Sequence, residues 1–215
     1  LTVPKRSKPH PPASSRERIR EAGKALFARK GFEATSTVAI CRLAGTSESQ
    51  LIKHFGGKQG LLEAIFQSAW DHINPALRLA TQSVPSPREK FRILTEMVLN
   101  FLHRDRELQT LFLLEGRRIR KNGELVSLVD GFLEFVALID GIIRQMAESG
   151  DLAPDINPEA LRSGLMGAIE GMLRDLLLAE SSQYSARYSE ADMRRVVFRF
   201  LSCSLTPRTD AALGA

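Results

Sequence analysis

The stretch from Thr35 to Lys58, T-S-T-V-A-I-C-R-L-A-G-T-S-E-S-Q-L-I-K-H-F-G-G-K, constrains the fold more than any other part of the chain. It predicts two short helices joined by a turn at Gly45. Thr35 or Ser36 caps the first, whose apolar face is Ile40, Leu43 and Ala44. Ser47 caps the second, with Gln50 at capping-box spacing, and Gly56-Gly57 closes it. The second helix has polar side chains on one face and Leu51 and Phe55 on the other. Proteins use such a pair to lay a helix in the major groove of DNA.

The punctuation around this stretch predicts an all-α chain of about nine helices. Ser14 and Glu17 form a capping box before an apolar stripe of Ile19, Ala22, Leu26 and Phe27, and Gly31 ends that helix. Gly23 costs that helix about 1 kcal/mol against Ala and lets a neighbouring helix approach. A long helix follows from Lys58, which Asn74-Pro75 kinks or ends. Ser86-Pro87, Asn157-Pro158 and Ser189 with Asp192 open later helices. Others are expected at Glu107–Ile119 and Glu124–Glu148, separated by Asn122-Gly123. No strand pattern or internal repeat emerges. The organisation is a disordered basic arm over 1–13, a three-helix head over 14–57, a longer helical domain over 58–205 (ligand-binding and dimerising on the family resemblance given below), and a flexible tail over 206–215.

Charge singles out the reading head. Residues 1–58 hold 12 Lys/Arg against 4 Asp/Glu, a net +8, whereas the remaining residues net −3. A polyanion bound at this end accounts for the asymmetry. No apolar run approaches the roughly 18 residues of a membrane span. The basic start lacks the apolar core of a secretory signal. Cys41 and Cys203 make neither a disulfide framework nor a zinc site, so a reducing cytoplasm is the expected setting. The four histidines are scattered, and the nucleophile-elbow, zinc-protease and phosphate-loop motifs are absent. No cofactor is expected. An enzyme is the weaker alternative, and a helical adaptor that binds only protein is the other.

Candidate DNA contacts follow from helix geometry. The recognition-helix N-terminus offers Thr46, Ser47, Glu48, Ser49 and Gln50 to base edges. Lys53, His54, Lys58 and the free backbone N–H groups at the caps near Ser36 and Ser47 are the candidate phosphate contacts, and Thr35 and Ser36 are further candidate DNA contacts. Gln50 is either the capping partner of Ser47 or a base reader. Glu48 either accepts from a cytosine amino group or favours the helix N-terminus.

The segments L-F-A-R-K-G-F-E-A-T-S (26–36), A-I-C-R-L-A-G-T-S (39–47) and L-I-K-H-F-G-G-K-Q-G-L-L (51–62) resemble the TetR family of transcriptional regulators in order and spacing. Ile52 stands where that family usually has a Tyr whose hydroxyl reaches a phosphate. Thr46 replaces Val and Cys41 replaces Ala. The resemblance implies a dimeric, ligand-responsive regulator, a repressor by default, that grips a palindromic double-stranded DNA operator and is released by a small apolar or aromatic effector. It also implies that the last two helices make the dimer surface. Gly164, Leu165, Ala168, Met172 and Leu176, with Val196, Val197 and Phe200 on the last helix, are the candidates; packing within one subunit is the alternative. The middle helices are expected to enclose the effector, with Phe66, Trp70, Phe101, Phe112, Phe132 and Phe135 as lining. Arg117 is a candidate anchor for an acidic ligand. Asp140 and Arg144 are spaced for a surface ion pair.

Overall fold

A computed structural model describes residues 14–116, 120–121, 124–125 and 130–205. The expected basic arm, Arg117, the Asn122-Gly123 turn and the tail lie outside the described residues. Among the described residues the elements are α1 (Ser15–Lys30), α2 (Thr37–Ala44), α3 (Glu48–Phe55), α4 (Lys58–Gln82), α5 (Pro87–Arg104), α6 (Arg106–Leu114), α7 (Asp130–Glu148), α8 (Pro158–Ser181) and α9 (Glu190–Cys203). Two-residue strands, β1 (Arg120–Lys121) and β2 (Glu124–Leu125), pair antiparallel.

The architecture is helical, as expected, with three corrections. The sixth helix stops at Leu114 and the seventh starts only at Asp130, because Glu124-Leu125 pairs with Arg120-Lys121 instead of joining a helix. Pro75 does not end α4, which continues to Gln82. Tertiary anchoring offsets the missing proline N–H. Asn74 donates its amide to the Gly131 carbonyl at 2.8 Å, Leu77 is fully buried, and the Thr81 hydroxyl returns to the Leu77 carbonyl at 2.8 Å. Asp140 pairs across helices with Arg162 rather than along α7 with Arg144.

The capping signals are realised where they are local. Ser14–Glu17 and Ser189–Asp192 form complete capping boxes, Ser36 caps α2, Ser86 caps α5 and Asn157 caps α8. Hydrogen bonds from Ser189 hold the Asp192 carboxyl down at about 2, and those from Ser14 lower Glu17.

The chain forms two compact units, the first through Ile65 and the second from Phe66, so the boundary falls inside α4. In the first unit α1 packs on α2 and α3 around Ile19, Phe27, Ile40 and Leu51. Gly23 is buried against α4: a Cβ there would meet the Leu61 side chain at 2.7 Å, the close approach the sequence suggested. In the second unit α5, α7, α8 and α9 pack in succession and α6 lies on α5 and α8, around Ile143, Met146, Met193 and Val197.

Candidate nucleic-acid interface and ligand cavity

α3 turns Leu51 fully into the core of the first unit and presents Glu48, Ser49, Ile52 and Lys53 outward, with Gln50 and Thr46 half-exposed. Gly45 makes the turn before it in the left-handed conformation at φ 61°, and its amide caps the end of α2. The Ser47 side chain makes no capping bond to α3; its hydroxyl meets the Ser49 hydroxyl at 2.8 Å. The capping-box reading of Gln50 is therefore not realised, and its side chain is left for the outer face. Among the described residues Lys53 has no ion-pair partner either.

Glu48 is engaged within the head. The Thr37 hydroxyl donates to its carboxylate at 2.6 Å, tying the start of α2 to the start of α3. Burial, with the Glu48 charge second, raises the Cys41 thiol, so Cys41 is a protonated core residue.

Three of the expected DNA contacts have hydrogen-bond partners within the head. Thr35 is 2 % exposed, and its hydroxyl donates to the carbonyls of Leu26 and Gly31, bracing the end of α1. The Lys58 ammonium donates to the Phe32 carbonyl at 2.9 Å and lies 4.4 Å from the Phe32 ring centre. His54 Nε2 meets the Ser15 hydroxyl at 3.0 Å. The partners of Lys58 and His54 are 25 or more residues away, and those of Thr35 lie on the preceding helix and its cap. Ser36 stays exposed while its hydroxyl accepts from the Ala39 amide. Ile52, noted in the sequence only for the missing Tyr hydroxyl, also lies on this face. It is 61 % exposed between Ser49 and Lys53, and a large apolar side chain held in water on this face was its signal.

The second unit encloses a cavity of about 610 Å³, within the roughly 300–1,000 Å³ of small-molecule sites. Phe66, Trp70, Phe101, Phe112, Phe132 and Phe135 all line it. Trp70 organises the group: it stacks on Phe135 at 4.8 Å and meets Phe112 edge-on at 5.3 Å, while Phe66 lies 5.0 Å from Phe112. Such ring pairs contribute roughly 0.5–1.5 kcal/mol each beyond area burial, so the wall is stiff. Thr95, Arg162, Ser163 and Glu170 are the polar side chains of the lining. The hydroxyl of Thr95 is already given to the Phe91 carbonyl.

Two expected dimer residues point the other way. Leu165 and Val197 are buried within the subunit and line the cavity. The adjacent stripe is open: nothing lies within 4 Å of a Cβ built on Gly164, Gly167 or Gly171, and Val196 and Phe200 are exposed. Ala168, Met172 and Leu176 are half-buried.

Comparison with known proteins agrees with this arrangement. Residues 19–65 match the model of bacterial regulatory proteins of the tetR family, and residues 66–199 match the C-terminal region of YsiA-like proteins. The HTH-type transcriptional regulator UidR of Escherichia coli K12 is 25% identical over 169 residues, covering 75% of this chain and 81% of UidR. A tetR family transcription regulator of Shewanella sp. PV-4 superposes with TM-score 0.72 at 23% identity, over 91% of this chain and 100% of that one. Regulator FadR of Bacillus subtilis, solved with stearoyl-CoA, gives TM-score 0.76 at 16% identity, over 88% and 99%. With a helix-turn-helix that exposes the outer face of α3, a cavity in the second helical unit, and family models matching from residue 19 to residue 199, the chain belongs to the TetR family of bacterial transcriptional regulators.

Proposed function

We propose that the protein acts as a homodimeric repressor that binds an inverted-repeat operator and is released when an acyl-chain or aromatic effector fills the cavity. The observation that carries this reading is the double allegiance of α4. Its Leu61 and Ile65 pack beside Gly23 in the first unit, and its Phe66 and Trp70 line the cavity in the second. A ligand that displaces the Trp70 wall acts on the same helix that supports the reading head. Coupling of about 1–3 kcal/mol, reciprocal between effector and DNA, is the expected scale. The acyl ligand of the FadR structure supports an acyl effector, because an apolar, ring-lined cavity suits a methylene chain.

On this reading Ser49, Gln50, Ile52 and Lys53, with Ser36, Thr46 and Ser47 beside them, face the operator. Gln50 reads adenine, Ile52 packs on a thymine methyl, and Lys53 meets phosphate. The open glycine stripe of α8 and the exposed edge of α9 pair with a second copy, because one short recognition helix binds weakly alone and a twofold pair reads a palindrome. The cytoplasm is where such a regulator works; among the described residues no helix is long and apolar enough to cross a membrane.

Selection of bound duplexes from a random pool tests the proposal. An inverted repeat with half-site centres one helical turn apart is expected. Recovery of unrelated sequences, with affinity indifferent to salt, would remove the operator assignment and favour the protein adaptor.

A further inference from the structure

Apart from Thr95 and Glu170, the polar side chains of the cavity lining are Arg162 and Ser163, adjacent on α8. Arg162 is held there from outside. Its Nη1 donates to both oxygens of Asp140, at 2.8 and 2.6 Å. A guanidinium carries donors on three nitrogens, and among the described residues no bond occupies Nη2 or Nε. Glu170, the acid in the same lining, is engaged by Arg174, which also donates to the Leu113 carbonyl. The lining at Arg162 therefore has guanidinium donors to spare on a side chain fixed by Asp140, and the carboxylate of the lining, Glu170, two turns along α8, already has a cationic partner.

We infer that the effector carries a free carboxylate, and that Arg162, positioned by Asp140 and flanked by Ser163, reads that head group while the aromatic wall takes the tail. This rests on the cavity being the effector site. A carboxylate meets the open edge of the guanidinium through paired charge-assisted bonds, and Arg is suited to this planar recognition. Asp140 and the ligand then share the guanidinium from two edges. A thioester of the same chain has no charge to place there, and an amine meets like charge.

Trp70 is the chain's single tryptophan and stands in the cavity wall, so its emission reports occupancy. The full-length protein is titrated with dodecanoate, dodecanol, dodecylamine and dodecanoyl-CoA, in wild type and in Arg162→Met. Dodecanoate is expected to bind at least tenfold more tightly than the alcohol or amine. The Met variant is expected to lose about tenfold to a hundredfold for the acid only, the scale of one or two charge-assisted bonds. Arg162→Met with Asp140→Asn removes both charges and reports the same loss should the single variant fold poorly. Asp140→Asn alone keeps the acid preference. Equal binding of acid and alcohol, or a preference that survives in the Met variants, overturns the inference. Tighter binding of the CoA thioester overturns it while leaving an acyl effector in place. Unchanged Trp70 emission with every probe overturns it together with the cavity's role as effector site, whereas operator binding is tested separately.

Discussion

Gly131 sits where α7 crosses α4, clasped by two amide side chains. Its N–H donates to Gln67 Oε1 at 3.2 Å and its carbonyl accepts from Asn74 Nδ2 at 2.8 Å, with Trp70 between them on α4. A Cβ at this position would stand 2.3 Å from the Trp70 Cβ, the root of that side chain and unable to swing away. Carbon atoms rest at about 3.5–4.0 Å, so the helices must separate by more than an ångström. Overpacking of this kind costs about 1–3 kcal/mol, and stretching the two amide bonds adds roughly 1 kcal/mol more. The helical preference of Ala over Gly returns at most about 1 kcal/mol. Gly131→Ala should therefore destabilise the protein by roughly 2 kcal/mol, and disturb the tryptophan at the same time. The check is urea unfolding followed by circular dichroism and by Trp70 fluorescence. Gly141→Ala on the same helix is the control, because a Cβ there meets nothing within 4 Å; it should be neutral or stabilising by up to about 1 kcal/mol. If both variants gain stability alike, the crossing is looser than described and the reasoning fails.

Other expectations separate the reading face from its supports. Thr35→Val should cost about 1–2 kcal/mol in urea unfolding through its two lost hydrogen bonds, with DNA affinity of the folded protein unchanged; a loss of affinity without a loss of stability would return Thr35 to the DNA contacts. Lys53→Ala should weaken binding to all sequences and reduce the slope of log affinity against log salt by about one per recognition helix; an unaltered slope would place that ammonium away from DNA. The folded Asp192 carboxyl, near 2, lies below its ordinary 3.8, so the α9 cap is complete above the unfolded value and is lost as pH falls through about 2. Carboxyl-carbon NMR should show Ser189→Ala moving that titration back toward its ordinary range, and an unmoved midpoint would deny the hydroxyl its part.

Helix starts were legible because a cap is written within four residues, as at Ser14–Glu17 and Ser189–Asp192. The aromatic lining was legible because six rings on helices around one interior have little else to do than meet there. What escaped depended on partners in other elements of the fold. Nothing near Thr35, His54 or Lys58 reveals Leu26, Ser15 or Phe32 as the groups that occupy them. Leu165 and Gly164 lie one residue apart on α8, and spacing alone could not say which of two neighbouring stripes turned inward. Periodicity also carried the expected seventh helix back to Glu124, because Glu124-Leu125 suits a helix as well as the short ladder it joins. Asp140 had a basic residue at helical spacing, yet its true partner was Arg162 on another helix.

Because α4 is unbroken helix from Lys58 to Gln82, phase is conserved along it. One residue inserted between Ile65 and Phe66 turns the Trp70 stripe by about 100° relative to the Leu61 stripe, and four residues nearly restore it. Natural or engineered exchange of reading heads at this seam thus succeeds in steps of a whole turn, and a graft of arbitrary length loses either the seat of Gly23 or the ring-lined wall.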